Sequence, residues 1–260
     1  MDLKLKNHTG NISILYNKSL PMIRTGEFDF FRCVEFNKGM YGKTVSELHA
    51  GNLRLSRTDN RYSNFFIGQK LSYWADSPET AEAEIKRWGA KNNFITFWSY
   101  DDGSSTYPTV YPRKELEIVV GTEMGFNHIL KKIERHVQLT ADEQNLIDCI
   151  AEEEPDCLLY ESEAYEGGIN YLFFENRFKK LSLKSVRLSL EDLKEKNGNE
   201  IECAVGCDYI PILEAYGNVF LPNAKVGRND CYLFSDEYLL RQQVKQRFQD
   251  DLVRWHNEYT

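Results

Sequence analysis

At 260 residues the chain is long enough to bury one large core, and its 42% apolar and 28% charged residues are those of a globular protein. A net charge of −8 with no lysine- or arginine-rich block argues against non-specific nucleic-acid binding, which needs clustered cations to neutralise phosphates. No apolar run reaches membrane-spanning length and the first residues lack a signal peptide's apolar stretch, so no membrane contact is expected and the cytoplasm is the expected compartment.

Residues 1–24 scatter apolar positions around a turn at Thr9-Gly10-Asn11 and read as a polar lead-in. Residues 28–36 alternate as a strand, with Phe28, Phe30, Val34 and Phe36 on one face and Arg32 as its odd member. A guanidinium in that place either snorkels out at a strand edge or meets an anion. Residues 39–51 read as loop and short helix, and residues 53–57 as a strand carrying Arg57. Residues 59–64 (DNRYSN) are turn-rich, so Arg57 and Arg61 read equally as solvated loop charges.

Residues 71–89 (LSYWADSPETAEAEIKRWG) give the clearest local pattern. Leu71, Tyr73 and Ala75 alternate onto one strand face. Ser77 then supplies a hydroxyl N-cap and Pro78 the first helical position, where a missing N–H costs nothing. The helix sets Ala81, Ile85 and Trp88 on an apolar face, and spacing puts Glu84 on the same face. Glu84 is thus either a border residue that escapes to water or an acid beneath a cleft.

Residues 93–100 form an aromatic strand, followed by a turn at residues 101–105 whose paired aspartates read as solvated. Residues 107–112 are extended loop and residues 116–120 a buried-type strand. Ile129, Leu130, Ile133 and Val137 mark one helix; Thr140 with Glu143 is a capping box for another carrying Ile147 and Ile150. In residues 156–174 (DCLLYESEAYEGGINYLFF) a Tyr160-x-Ser162 precedes a Gly167-Gly168-x-Asn170 turn and an apolar strand. Locally Ser162 is a loop hydroxyl, since no nucleophile elbow surrounds it. Strands follow at 181–188 and 201–205, with a short helix capped by Ser189 between them and an irregular region over 207–228. Ser235 caps a final helix whose Leu240, Val244, Phe248, Leu252, Trp255 and Tyr259 repeat at steps of four and three. That stripe packs on the body or on a second copy, so a homodimer stays open.

Six cysteines in a chain of this size read as reduced, mostly buried thiols. Cys203 and Cys207, with Cys231 downstream, lack the second close pair a zinc site wants, so no metal is expected. The 13% aromatic content suits stacking on flat ligands and equally a β-rich core.

Three of these segments together resemble RES domains, a family named for its Arg, Glu and Ser. Tyr73-x-Ala75-x-Ser77-Pro78-Glu79-Thr80-Ala81-x-Ala83-Glu84 is similar to the family's strand–helix motif, including the eleven-residue step from Tyr73 to Glu84. Arg61-Tyr62-Ser63-Asn64 resembles its Gly-Gly-Arg-aromatic-Asn motif, with Asp59 and Asn60 in place of the glycines and Ser63 inserted. Those departures leave Arg57 as a rival to Arg61. Ser162 takes the serine place, Tyr160 the preceding aromatic, and Arg32 resembles a first anion-binding arginine. From about residue 189 onward the resemblance ends.

The resemblance implies an α+β fold like that of ADP-ribosyltransferases: split antiparallel or mixed β-sheets surrounded by helices, with a C-terminal helical extension. The expected layout is a lead-in over 1–24, a catalytic domain over 25–188 and an extension over 189–260. The implied function is consumption of NAD+ by cleavage of its nicotinamide–ribose bond, as a glycohydrolase or phosphorylase, in the manner of the toxin of a toxin–antitoxin pair. NAD+ is then substrate rather than cofactor, and an antitoxin protein is an implied partner. ADP-ribosyl transfer to a macromolecule and a non-catalytic binding role remain as alternatives. Glu84, Arg61, Ser162 and Tyr73 are the implied catalytic residues. Arg32, Arg57, Arg61, Tyr62, Tyr73, Tyr160 and Ser162 are implied to bind NAD+. Arg32, Arg61, Tyr73, Glu84 and Ser162 are expected on one cleft.

Overall fold

The computed structural model describes residues 5–8, 12–16, 18–26, 28–40, 48, 71–91, 93–101, 115–175, 177–189 and 201–205, together with 236, 239, 243, 246, 250 and 254. These residues build an α+β fold around one mixed sheet. Its strands are β1 (Ile12–Leu15), β2 (Met22–Thr25), β3 (Asp29–Glu35), β4 (Leu71–Ala75), β5 (Phe94–Asp101), β6 (Leu116–Val120), β7 (Cys157–Glu161), β8 (Ile169–Phe174), β9 (Leu181–Ser189) and β10 (Ile201–Val205). The helices against it are α1 (Pro78–Arg87), α2 (Phe126–Glu134) and α3 (Ala141–Glu153).

The spatial order is β1-β2-β6-β7-β8-β4-β3-β5-β9-β10. Every pairing is antiparallel except β6 with β7. That parallel pair needs a long crossover, and α2 and α3 are carried on it. The resemblance implies a split, and the weakest join in the sheet lies between β4 and β3. These strands share a single pair, Phe31 with Ala75, whereas β3 matches β5 from Asp29–Tyr100 to Glu35–Phe94. Continuing the β3–β4 register would pair Cys33 with Tyr73 and Glu35 with Leu71. The strands part there instead.

The two-residue pleat sorts the core into two faces. On one, Phe28, Phe30, Trp74, Ile95, Phe97, Ile118, Leu159, Tyr171 and Phe173 are buried together. Tyr171 meets Phe30 edge-on at 5.0 Å, and Phe173 meets the same ring at 5.3 Å. Each such aromatic contact adds about 0.5–1.5 kcal/mol beyond area burial. On the other face, α2 and α3 cover Val119, Leu158 and Leu172 with Phe126, Ile129, Leu130, Ile147 and Ile150. Beside them α1 covers Cys33, Ala75 and Phe94 with Ala81 and Ile85.

The helix signals act as expected. Ser77 Oγ accepts from Thr80 N at 3.1 Å with Pro78 at the first position, and Thr140 with Glu143 forms a reciprocal capping box. Other expectations need correction. Residues 1–24 supply two strands, and Met22 and Ile23 of β2 are fully buried. The β2 strand runs to Thr25, so a boundary between residues 24 and 25 would cut it. Val137 falls beyond α2, which ends at Glu134, and is 50% exposed. His136 turns the chain out of the helix with φ of 53°. Trp88, expected on the core face of α1, is 61% exposed. Of the final helix, Asp236, Leu239, Gln243, Gln246, Asp250 and Arg254 are helical and exposed. The stripe from Leu240 to Tyr259 lies outside the described residues. No described helix is long and apolar enough to cross a membrane.

Candidate active site

Where β3 and β4 part and α1 stands off from α2, a cleft of about 740 Å³ opens. Because the ladder is open there, residues from both faces of the pleat reach it. Arg32, Val34 and Trp74 line it, and so do Cys33, Tyr73 and Ala75. Glu84 and Ile85 of α1, with Trp88 just past its end, form one wall, facing Ile133 and Glu134 of α2 and His136 beyond it.

Glu84 is half-buried in this wall and does not escape to water. Its Oε1 accepts from Ser162 Oγ at 2.7 Å and from Asn170 Nδ2 at 2.6 Å. Two donors on one oxygen fix the carboxylate and compensate part of its lost hydration. Ser162 is oriented in turn. Its Oγ accepts from the backbone N–H groups of Ala164 and Tyr165, both at 3.1 Å, which directs its own hydrogen towards Glu84. It does not itself line the cleft.

The glycine pair is what lets the serine loop approach α1. Gly167 has φ of 69°, a left-handed conformation that favours glycine. A Cβ on Gly168 would sit 2.6 Å from Thr80 Oγ1, and Thr80 is fully buried on the first turn of α1. Gly168 also bonds the loop to itself, donating to Tyr165 O at 3.0 Å and accepting from Ser162 N at 2.8 Å.

Arg32 reaches across the gap between the parted strands. Its Nη1 donates to Ser72 Oγ at 3.3 Å, and Ser72 also takes Trp74 Nε1 at 2.9 Å. Arg32 Nε is shut off from solvent with no hydrogen-bond partner among the described residues. Burial pushes the Arg32 guanidinium down to about 10, still well above neutrality. The site therefore holds a poorly solvated cation beside a cleft, with room for an anion. Burial likewise pushes the Cys33 thiol up to about 11, so that cleft-wall sulfur is neutral near pH 7.

Of the residues expected here, Arg32, Tyr73, Glu84 and Tyr160 line one cleft, and Ser162 is bonded to Glu84. Tyr160 is only 2% exposed, its ring mostly in the core beneath α2 and α3. Arg57, Arg61 and Tyr62 lie outside the described residues. Sequence reasoning placed Asn170 in a turn and gave it no role. It is the second residue of β8, 4% exposed, between Ala75 and Tyr160 in register. The available signal was an amide at the head of an apolar strand, which needs a buried partner. Arg87 and Glu163, an ion pair at 2.7 Å beside the site, were also missed.

Known proteins offer little likeness. No protein-family profile and no curated protein matches the chain. Among solved structures it is similar to a chain of the M. tuberculosis MbcT–MbcA toxin–antitoxin complex, with a TM-score of 0.37 and 11% identity, covering 65% of this chain and 88% of that one. That likeness is too slight to carry a function.

Proposed function

We propose that this chain is a RES-type enzyme that consumes NAD+ by cleaving the bond between nicotinamide and ribose, by hydrolysis or phosphorolysis. The observation that carries the reading is the placing of Glu84 on a cleft wall, held by Ser162 and Asn170, in the cleft that Arg32 and Tyr73 also line. These residues, Asn170 included, are among those through which the sequence resembles that family.

The chemistry suits the set. The C–N bond breaks through an oxocarbenium-like state with neutral nicotinamide leaving, so the site must favour positive charge on the ribose and needs little proton transfer. A carboxylate fixed before the reaction begins stabilises that charge without reorganising. Ser162 and Asn170 hold it in place. Arg32 offers a desolvated cation to a phosphate oxygen of the substrate, and Tyr73 a ring for the nicotinamide end. Water as acceptor gives ADP-ribose and a proton; inorganic phosphate gives ADP-ribose 1″-phosphate.

Incubation of the full chain with NAD+, with and without phosphate and cell extract, tests this by product. ADP-ribose or its 1″-phosphate, released with one equivalent of nicotinamide, supports the reading. Label transferred to a macromolecule replaces it with ADP-ribosyl transfer, and NAD+ left intact under all three conditions overturns it. A toxin role in the cytoplasm, opposed by an antitoxin protein, predicts growth arrest on expression that Glu84→Gln relieves.

A further inference from the structure

The loop bearing Ser162 is tied to α1 at two neighbouring points. Ser162 binds Glu84. The next residue, Glu163, accepts from Arg87 Nη2 at 2.7 Å. Glu84 and Arg87 are three residues apart, hence on adjacent turns of one side of the helix. The same Nη2 donates to Glu134 Oε2 at 3.1 Å near the end of α2, and Lys131 brings a second cation to Glu163 at 3.3 Å. Arg87 therefore stands where α1, α2 and the serine loop meet.

These pairs lie at the surface, but their side chains are less exposed than those of the neighbouring pair. The side chains of Arg87, Glu163 and Glu134 are 31%, 18% and 14% exposed, against 49% and 37% for Lys86 and Glu82 one turn away. Solvent screens the latter pair far more. Burial works against the charge on Glu163, but the hydrogen bonds from Arg87 and Lys131 outweigh it and hold the carboxyl below the usual range.

We propose that Arg87 is a positioning residue: by gripping Glu163 and Glu134 it fixes the serine loop so that Ser162 keeps the Glu84 carboxylate on the cleft wall. Arg87 does not line the cleft and acts through Ser162. The proposal rests on Glu84 being the site's acid.

The test uses the full chain as wild type, Arg87→Ala, Arg87→Lys and the Arg87→Ala/Glu163→Gln pair. It reads NAD+ turnover, Tm, and hydrogen exchange of the Ala164 and Tyr165 amides that bind Ser162 Oγ. Arg87→Ala is expected to lower kcat about tenfold to a hundredfold, the cost of a small misplacement, with KM changed less than about twofold. Exchange should quicken at Ala164 and Tyr165 and hold steady in the sheet core. Arg87→Lys, which keeps the cation, should recover part of kcat, and the double variant should be no worse than Arg87→Ala. Unchanged kcat with unchanged exchange overturns the proposal. So does a fall in Tm with exchange raised throughout the sheet, which makes Arg87 a general stabiliser. If the wild type leaves NAD+ intact the reaction fails separately, and the exchange of Ala164 and Tyr165 alone decides the tether.

Discussion

Ser162 Oγ donates to Glu84 Oε1 at 2.7 Å, a contact that joins residues 78 apart in sequence. With Asn170 on the same oxygen, Glu84 is held by two neutral donors. Glu84→Gln can keep a carbonyl oxygen for both donors; it removes the charge and turns the other oxygen into an amide donor. Turnover of NAD+ should fall by about 10²–10³, the usual cost of losing one preorganised electrostatic contact. Thermal stability should hold level or rise, because a half-buried charge has gone. Steady-state kinetics beside a thermal melt check both halves, and parental turnover would remove Glu84 from the chemistry.

Asn170→Asp sets a second carboxylate where the amide now lies 2.6 Å from Glu84. Two like charges so close cannot both ionise, so the pair retains a proton to higher pH. The acid limb of kcat/KM should move up by about one unit or more. Asn170→Ala removes the donor without adding charge and should move that limb up by less. A pH–rate profile for each separates the electrostatic effect from simple loss of support.

Local order was the legible part of the sequence. Period-two alternation located β3 and β4, a short apolar run located β6, and the Ser77-Pro78 and Thr140–Glu143 caps located α1 and α3, because these signals lie within a few residues. Glu84 stood out by its place on an apolar helix face. What escaped was set by tertiary contact. Trp88 shares that face, yet α1 ends there and its ring comes out at the mouth of the cleft. Val137 continues the helical spacing of α2, but the left-handed His136 has already ended it. Asn170 and Arg87 reach their partners only once β8 and α2 are docked, and no local period encodes a strand register or a helix crossing.

Glu143 gives a pH test away from the cleft. The hydrogen bond from Lys132 Nζ, 2.6 Å from Oε1, and that from Thr140 N at 2.8 Å hold its carboxyl down from 4.5 to about 2. A depressed folded-state value stabilises above the unfolded one, and that stability is lost as pH falls towards the folded one. The wild-type Tm should therefore carry a slope from Glu143 between about pH 4.5 and 2. Glu143→Gln should flatten it while lowering Tm at pH 7. Melts across that range in both proteins decide the matter; parallel curves would show that the capping box titrates without consequence.

Arg32 makes stability and binding move in opposite directions. Its guanidinium is desolvated, pushed down to about 10, and among the described residues meets a serine hydroxyl rather than a carboxylate. Both folded and unfolded chains keep it charged at neutral pH, so the cost of burying the charge is present in full there. That cost is relieved only as pH rises through about 10 and beyond. Arg32→Met keeps most of the volume and discards the charge, so the free protein should hold or gain Tm. Affinity for an anionic ligand should fall about tenfold to a hundredfold, the worth of a charge-assisted hydrogen bond in such a site. ADP-ribose is the probe, titrated by calorimetry and by thermal shift. It should raise the Tm of the wild type by bringing an anion to Arg32, and raise that of Arg32→Met much less. A variant that loses stability yet binds ADP-ribose as well as the parent would make Arg32 a structural strut between the parted strands, with no part in holding substrate.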